Sequence, residues 1–238
     1  MEQFLSGKCA LVTGGTRGIG RAVAEALLRA GAAVAICGRS EESVSGAVRE
    51  LTALGGKVAG KSADVSNAGD VAALFRYAEE QLGGLDIVVN NAGIGIFASV
   101  ADTTVEDWRR TIGTNLDGVF YCCREAIPRF RQRGGGFVIN IGSLAGRNPF
   151  AGGAAYNASK FGLIGFSEAM MLDHRYENVR VAVIMPGSVE TRFGSQAGGA
   201  DWKSAPEDIA EAVIGLLRMP ERSLVSRVEI RPSKPRKG

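Results

Sequence analysis

The 238-residue sequence lacks the groups on which several common kinds of site depend. It has one histidine, His174, and no CxxC or Cys/His spacing, so we predict no metal site. No apolar run reaches the roughly 20 residues of a membrane-spanning helix. The cysteines have apolar neighbours and are expected to be buried and reduced, as in a cytoplasmic protein: Cys9, Cys37, Cys122 and Cys123.

The charge balance is also modest. The net charge is +3 at pH 7 and the pI is about 8.7, well short of a typical nucleic-acid-binding surface. Basic residues are scattered except in the tail, residues 231–238, which we interpret as a solvated end. Residues 1–3 lack the basic and apolar segments of a signal peptide. We therefore expect a cytoplasmic protein with neither nucleic acid nor membrane as partner.

Short apolar runs alternate with helical patterns along the whole chain. Strands are predicted near residues 9–12, 34–37, 57–61, 86–90, 137–141, 180–184 and 227–230. Helices are predicted over residues 21–30, from 40, from 66 or 67 to 82, 105–131, 154–176 and 206–218. This alternation indicates a parallel sheet of about seven strands with helices on both faces, a doubly wound α/β fold. No Pro/Ser-rich linker divides the chain, so residues 1–238 form one domain.

A glycine-rich turn, GxxxGxG, joins the first strand to the first helix. Its glycines allow a tight turn and close approach of the backbone to a pyrophosphate, which the helix N-terminus attracts. A lone glycine pattern is weak, but the position between a strand and a helix supports a dinucleotide site. The residues expected to touch the cofactor here are Gly14, Thr16, Arg17, Gly18, Ile19 and Gly20.

The end of the second strand predicts which cofactor binds. NAD sites commonly place an acid there for the ribose 2′-hydroxyl, whereas NADP sites need cations for the 2′-phosphate. Here the strand is followed by Arg39, and Arg17 in the glycine turn lies within reach of the same phosphate. The pattern favours NADP(H), with NAD(H) as the alternative because Glu41 or Glu42 is placed to bind a ribose.

Tyr156 and Lys160 are four residues apart and share one face of a predicted helix. YxxxK alone is common by chance, but Ser143 follows the fifth strand and Asn91 follows the fourth. Asn115 lies in the predicted helix over residues 105–131. The carboxyl ends of the strands converge at one edge of the sheet, so these side chains are expected near one ligand. Ser143 has no paired His or Asp, which excludes a hydrolase.

From Lys8 to about Glu211 the chain resembles the short-chain dehydrogenase/reductase family, with a Rossmann fold. TGxxxGIG, NNAG, Ser, YxxxK and PG occur in family order and at family spacing. The resemblance implies that Tyr156 is the acid/base, Lys160 lowers its pKa and binds the nicotinamide ribose, and Ser143 orients the carbonyl. Asn115 would support the helix and a water in a proton relay. Cofactor contacts are implied for Asp64, Val65, Asn91, Ala92, Gly93, Tyr156, Lys160, Pro186, Gly187, Val189 and Thr191.

The substrate is expected to be a small-molecule carbonyl or alcohol in an apolar pocket, under a lid at residues 188–205. The pocket residues predicted are Ile94, Ile96, Phe97, Leu144, Phe150, Phe193 and Trp202, with Arg147 and Arg192 at the rim. Three functions compete: a general carbonyl reductase or alcohol dehydrogenase, a 3-oxoacyl-acyl-carrier-protein reductase, and a non-catalytic NADP-binding sensor or scaffold. The resemblance also implies a homo-oligomer, a tetramer or a dimer.

Overall fold

A computed structural model describes residues 3–191, 193 and 202–235, and its centre is a parallel seven-stranded sheet. The strands are β1 (Cys9–Val12), β2 (Ala33–Gly38), β3 (Val58–Ser62), β4 (Ile87–Asn90), β5 (Gly136–Ile141), β6 (Val179–Pro186) and β7 (Arg227–Ile230). Their order is β3-β2-β1-β4-β5-β6-β7, so the winding reverses between β1 and β4. In doubly wound sheets, ligands bind outside the carboxyl ends of the strands at that point.

Seven α-helices cover the two faces of the sheet in the described part of the chain. They are α1 (Gly18–Arg29), α2 (Glu41–Thr52), α3 (Ala68–Leu82), α4 (Val105–Ile112), α5 (Gly118–Gln132), α6 (Ala154–His174) and α7 (Pro206–Leu217). Side chains of α1, α2 and α7 form one core, and those of α3, α5 and α6 form the other. Neighbouring strand residues alternate between them, as Leu11 and Val12 do. This confirms the predicted fold class.

Three helices begin at residues that suit a helix N-terminus. Ser40 accepts a hydrogen bond from the Ser43 amide at 3.2 Å, and Asn67 accepts from the amides of Gly69 and Asp70. Such side chains satisfy amides that have no partner inside the helix. Pro206, which needs no partner for its nitrogen, occupies the first turn of α7. These capping residues agree with the sequence-based positions.

One predicted helix is interrupted. Residues 105–131 were expected to form a continuous helix, but a π-helical turn, Gly113–Asp117, separates α4 from α5. The side chain of Asn115, inside this turn, is bound to the backbone of Ile94 in the loop after β4. Apolar periodicity cannot reveal this, because the turn is set by a contact 21 residues away in sequence. Pro128 does not end α5, which continues to Gln132.

All four cysteines are free and buried, as predicted. Burial raises the pKa of the Cys37 thiol to about 11 and that of Cys123 to about 12, so both are protonated at neutral pH. Within the described ranges, no helix combines the length and apolarity needed to cross a membrane, and no cluster of metal-ligating side chains occurs.

Candidate active site

A cleft of about 1260 Å³ follows the carboxyl ends of the strands. Most residues predicted for the site line it: Gly14, Thr16, Arg17, Gly18, Ile19, Arg39, Asp64, Val65, Asn91, Ala92, Gly93, Ser143, Tyr156, Lys160, Pro186, Gly187, Val189 and Thr191. Gly20 and Asn115 are not on its surface. The tertiary fold thus brings together groups from β1, β2, β4, β5, β6 and α6.

The glycine turn is shaped to admit a ligand against bare backbone. Gly14 and Gly18 have φ of 65° and 55°, where an L side chain is strained. A Cβ on Gly20 would lie 2.3 Å from the carbonyl oxygen of Gly14. Helix α1 begins after Arg17 with no side-chain cap and no acidic residue in its first turn. Its free amides and positive end therefore fit a phosphate group.

The segment after β4 holds this glycine turn in place. The Asn91 side-chain amide donates to the carbonyl oxygens of Thr13 at 3.0 Å and Gly14 at 3.1 Å. The Thr13 hydroxyl oxygen accepts from the amides of Asn91 and Ala92. Both N–H groups of the Asn91 side chain are thus hydrogen-bonded within the protein, so only its Oδ1 is left to bind a ribose. Thr13 belongs to the site although the sequence analysis did not select it.

Two arginines occupy the end of the cleft near β2. Arg17 and Arg39 are exposed, and neither has a carboxylate partner among the residues that the structure describes. Glu41, the acid nearest in sequence, accepts a hydrogen bond from the Ser62 hydroxyl at 2.8 Å. Two unpaired guanidinium groups beside a phosphate-sized cradle suit an additional phosphate.

Tyr156, Ser143 and Lys160 meet at the floor of the cleft. Tyr156 and Lys160 are 9% and 6% exposed, and the Ser143 hydroxyl is hydrogen-bonded to the Tyr156 side chain. The Lys160 ammonium donates to the carbonyl oxygen of Ile141 at 3.0 Å and lies 5.8 Å from the Tyr156 ring centroid. Only the fold joins these groups, because Ser143 follows β5 whereas the other two belong to α6.

The pKa values correct one expectation. Burial raises the pKa of Tyr156, and the hydrogen bond with Ser143 opposes that rise in part. Burial also lowers the pKa of Lys160 to about 8. The family resemblance implied that Lys160 lowers the pKa of the tyrosine. In the folded chain alone, desolvation outweighs that effect, and Tyr156 is protonated at neutral pH.

Asn115 lies behind the cleft and is 1% exposed. Its amide nitrogen donates to the Ile94 carbonyl at 2.9 Å and the Ser159 hydroxyl at 3.1 Å, while its Oδ1 accepts from the Ile94 amide at 2.8 Å. Ser159 in turn donates to the Tyr156 carbonyl. The side chain therefore ties the loop after β4 to the helix that carries Tyr156, and both of its N–H groups are occupied.

The other end of the cleft is largely apolar. Of the predicted substrate residues, Ile94, Phe97, Leu144, Phe150, Phe193 and Trp202 line it, whereas Ile96 does not. Arg147 is paired with Glu229 at 2.6 Å, and Arg192 is outside the described residues. Of the predicted lid, residues 188–205, positions 192 and 194–201 are outside the described residues. Its two ends are joined by backbone hydrogen bonds from the Glu190 amide to Ser204 and from the Ser204 amide to Ser188.

Residues 231–235 of the tail, which was interpreted as a solvated end, are mostly exposed and also border the cleft. Arg231, Pro232 and Pro235 line the cleft. The Gly187 amide donates to the Ile230 carbonyl at 2.8 Å, which extends the pairing of β6 with β7 and directs the chain across the opening. Charge and proline content alone could not show this position. Residues 236–238 of the predicted tail are outside the described residues.

Comparisons with known proteins agree with this geometry. The short chain dehydrogenase model matches residues 8–200. The chain is 35% identical over 96% of its length to a glycine betaine reductase of Emericella nidulans, but it spans only 19% of that protein. It is 39% identical to a 3beta-hydroxysteroid dehydrogenase of Mediterraneibacter gnavus, over 85% of this chain and 73% of that one.

Solved structures show the same architecture. An alcohol dehydrogenase from the archaeon Thermococcus sibiricus, complexed with 5-hydroxy-NADP, superposes with a TM-score of 0.90 at 30% identity, covering 97% of this chain and 99% of that one. A metagenomic short-chain oxidoreductase in complex with NADP gives a TM-score of 0.86 at 35% identity, with the same coverage.

Proposed function

The chain belongs to the short-chain dehydrogenase family of NAD(P)-dependent oxidoreductases, and we propose that it interconverts a ketone or aldehyde and an alcohol with NADP(H). The observation that carries this proposal is the buried group of Tyr156, Ser143 and Lys160 on the floor of a cleft with a phosphate cradle. Bound NADP(H) would supply or accept the hydride. The glycine turn, the start of α1, and Arg17 with Arg39 would hold its phosphates.

Tyr156 is the acid/base. Because burial keeps its pKa above the ordinary value, the hydroxyl is protonated at neutral pH and can donate a proton to the oxygen of a reduced carbonyl. Ser143, hydrogen-bonded to the same side chain, would orient that oxygen. In the oxidation direction the phenolate is needed, and Lys160 favours it. The Lys160 ammonium lies 5.8 Å from the centroid of the Tyr156 ring, and a nearby positive charge stabilises a phenolate.

The preference for NADP(H) over NAD(H) rests on Arg17 and Arg39. Both guanidinium groups are at the cleft surface, and no described carboxylate neutralises them. Charge-assisted hydrogen bonds from arginine to phosphate are stronger and more directional than neutral ones. The structures of the archaeal alcohol dehydrogenase and the metagenomic enzyme, both with NADP-type ligands, support this choice.

Replacement of Tyr156 by phenylalanine tests the proposal. We expect Tyr156→Phe to lower kcat for NADPH-dependent carbonyl reduction by about 10²–10⁴-fold, because the proton donor is removed. The Kd for NADPH, measured by fluorescence titration, should change little. Tyr176→Phe is the matched control, since Tyr176 is 93% exposed. Normal reduction by Tyr156→Phe would contradict the assignment, and a wild type that binds NADPH without turning over any carbonyl would favour a sensor.

We also propose that the protein is a homo-oligomer. Helices α5 and α6 expose Phe120 and Phe161, at 44% and 46%, on the outer side of the fold. Phe120 contacts Phe166 of α6 with ring centroids 6.2 Å apart, so the exposed aromatics continue across both helices. Exposed apolar patches of this kind mark protein interfaces. Light scattering at several concentrations would distinguish a tetramer or dimer from a monomer.

A further inference from the structure

Three phenylalanines surround Tyr156 at the substrate end of the cleft, and we call them the aromatic box: Phe97, Phe150 and Phe193. Their ring centroids lie 5.5, 6.4 and 5.8 Å from that of Tyr156, and Phe97 and Phe150 are 5.6 Å apart. The three side chains are 43%, 44% and 38% exposed, and all line the cleft. Much of their apolar surface is therefore uncovered beside the catalytic hydroxyl.

Each ring comes from a different segment, and backbone or side-chain contacts hold the segments of Phe97 and Phe150. Phe97 is in the loop after β4, which pairs with the loop before α6 through a bridge between Ala98 and Gly153. The Asn157 side chain, one residue from Tyr156, donates to the carbonyl of Phe150 at 3.0 Å. Phe193 follows the paired base of the lid. Phe97 and Phe150 are thus anchored to the same helix start as the tyrosine.

Two glycines make room for the rings. A Cβ on Gly95 would lie 2.6 Å from the Phe193 ring and 2.8 Å from the Phe97 ring. A Cβ on Gly153 would lie 2.6 Å from the Phe150 ring. Real side chains essentially never approach so closely, so any larger residue at either position would move the rings. The shape of the aromatic box therefore depends on positions 95 and 153 being glycine.

We propose that the aromatic box selects ketones whose carbonyl carbon bears an aromatic ring, such as aryl methyl ketones, and the corresponding secondary alcohols. This inference rests on the proposed carbonyl reductase activity and names its substrate class. Edge-to-face contacts among rings, as between Phe97 and Tyr156 at 80°, are the geometry that a further aromatic ring can join. A flat ring would cover the exposed phenylalanine surface while its carbonyl faces Tyr156 and Ser143.

The charges beside the box argue against a cationic substrate. Aromatic cages do bind quaternary ammonium groups, but the buried Lys160 ammonium lies 5.8 Å from the centroid of the Tyr156 ring. Lys203, which also lines the cleft, forms an ion pair with Glu190. The Glu190 carboxylate is therefore already neutralised by a cation of the protein and is not left to attract a cationic substrate. The Lys160 ammonium does not repel a neutral aromatic ring, so the aromatic box favours an aryl ketone.

The test compares kcat/KM for acetophenone, acetone and a quaternary ammonium aldehyde with NADPH. The wild type should prefer acetophenone to acetone by at least about 100-fold, from the apolar area of the extra ring. Phe97→Leu and Phe150→Leu should each reduce that ratio about tenfold. Gly95→Ala should reduce it at least fivefold, by displacing two rings. Gly215→Ala in α7 is the matched control, since no atom lies within 4 Å of its Cβ position, and it should leave the ratio unchanged.

The outcomes separate this inference from the proposed function. Turnover of acetone and acetophenone at similar kcat/KM would overturn the role of the box and leave the reductase activity standing. A preference for the quaternary ammonium aldehyde would also overturn it. If no carbonyl is turned over although NADPH binds, the proposed function itself fails. A lower acetophenone to acetone ratio in Gly95→Ala, with Gly215→Ala unchanged, supports the inference.

Discussion

Replacing Lys160 with methionine should make the ligand-free protein more stable at pH 7 while abolishing its activity. Lys160 is 6% exposed and burial lowers its pKa from 10.5 to about 8. The folded state therefore holds the charged form less favourably than the unfolded chain does. Methionine has a similar shape without the charge, so it should fit the same space at little steric cost.

The expected change in the free energy of unfolding follows from that pKa. A shift from 10.5 to about 8 corresponds to about 3 kcal/mol of penalty for the charged lysine, at about 1.4 kcal/mol per unit. The substitution also removes the hydrogen bond to the Ile141 carbonyl, which costs about 1 kcal/mol. The net gain is about 2 kcal/mol, or roughly 4–8 °C in Tm for a chain of this size.

The same pKa fixes the pH dependence. Because the folded pKa is the lower one, the penalty is full below pH 8 and shrinks as the pH rises from about 8 to 10.5. Urea unfolding of Lys160→Met and wild type, at one protein concentration without cofactor, should show a more stable variant at pH 7. The difference should vanish near about pH 10 and reverse above it, because only the loss of the hydrogen bond to Ile141 then remains. Lys57→Met, an exposed position, is the control. A variant less stable than wild type at pH 7, or a difference independent of pH, would refute the reasoning.

Two further predictions concern cofactor choice and pH. Arg39→Ala and Arg17→Ala should each raise the Kd for NADPH about 10–100-fold, because each removes a charge-assisted contact with phosphate. The Kd for NADH should change little, and an equal loss for both cofactors would contradict the assignment. The kcat/KM for carbonyl reduction should fall above about pH 8, because the buried Lys160 then loses the charge that stabilises the phenolate left when Tyr156 donates its proton. A profile flat to pH 10 would exclude a role for the lysine charge.

The elements that local chemistry specifies were predictable from the sequence. Alternating apolar runs and helical patterns gave the parallel sheet, and Ser40, Asn67 and Pro206 marked helix starts close to their observed places. The prediction of one continuous helix over residues 105–131 was wrong at its centre. Its π-helical turn depends on Asn115 bonding the backbone of Ile94, a partner that periodicity within the helix does not show.

The residues of the candidate site were likewise predictable from the sequence only in part. Residue types and spacing selected the glycine turn, Arg39, Ser143 and the Tyr156–Lys160 pair, because each occupies the end of a strand or one face of a helix. They did not select Thr13, whose hydroxyl holds the segment after β4, or the C-terminal residues that border the cleft. Those roles come from contacts between segments far apart in the chain.

The sequence by itself determined the fold class and the family, and it nominated the reactive side chains, since these depend on local pattern and residue chemistry. Tertiary structure alone decided the direction of the Tyr156 pKa, because desolvation depends on what surrounds the buried hydroxyl. It also decided that Phe97, Phe150 and Phe193 meet around the Tyr156 ring. Three loops carry those rings, and only the packed sheet and its loop bridges bring them together.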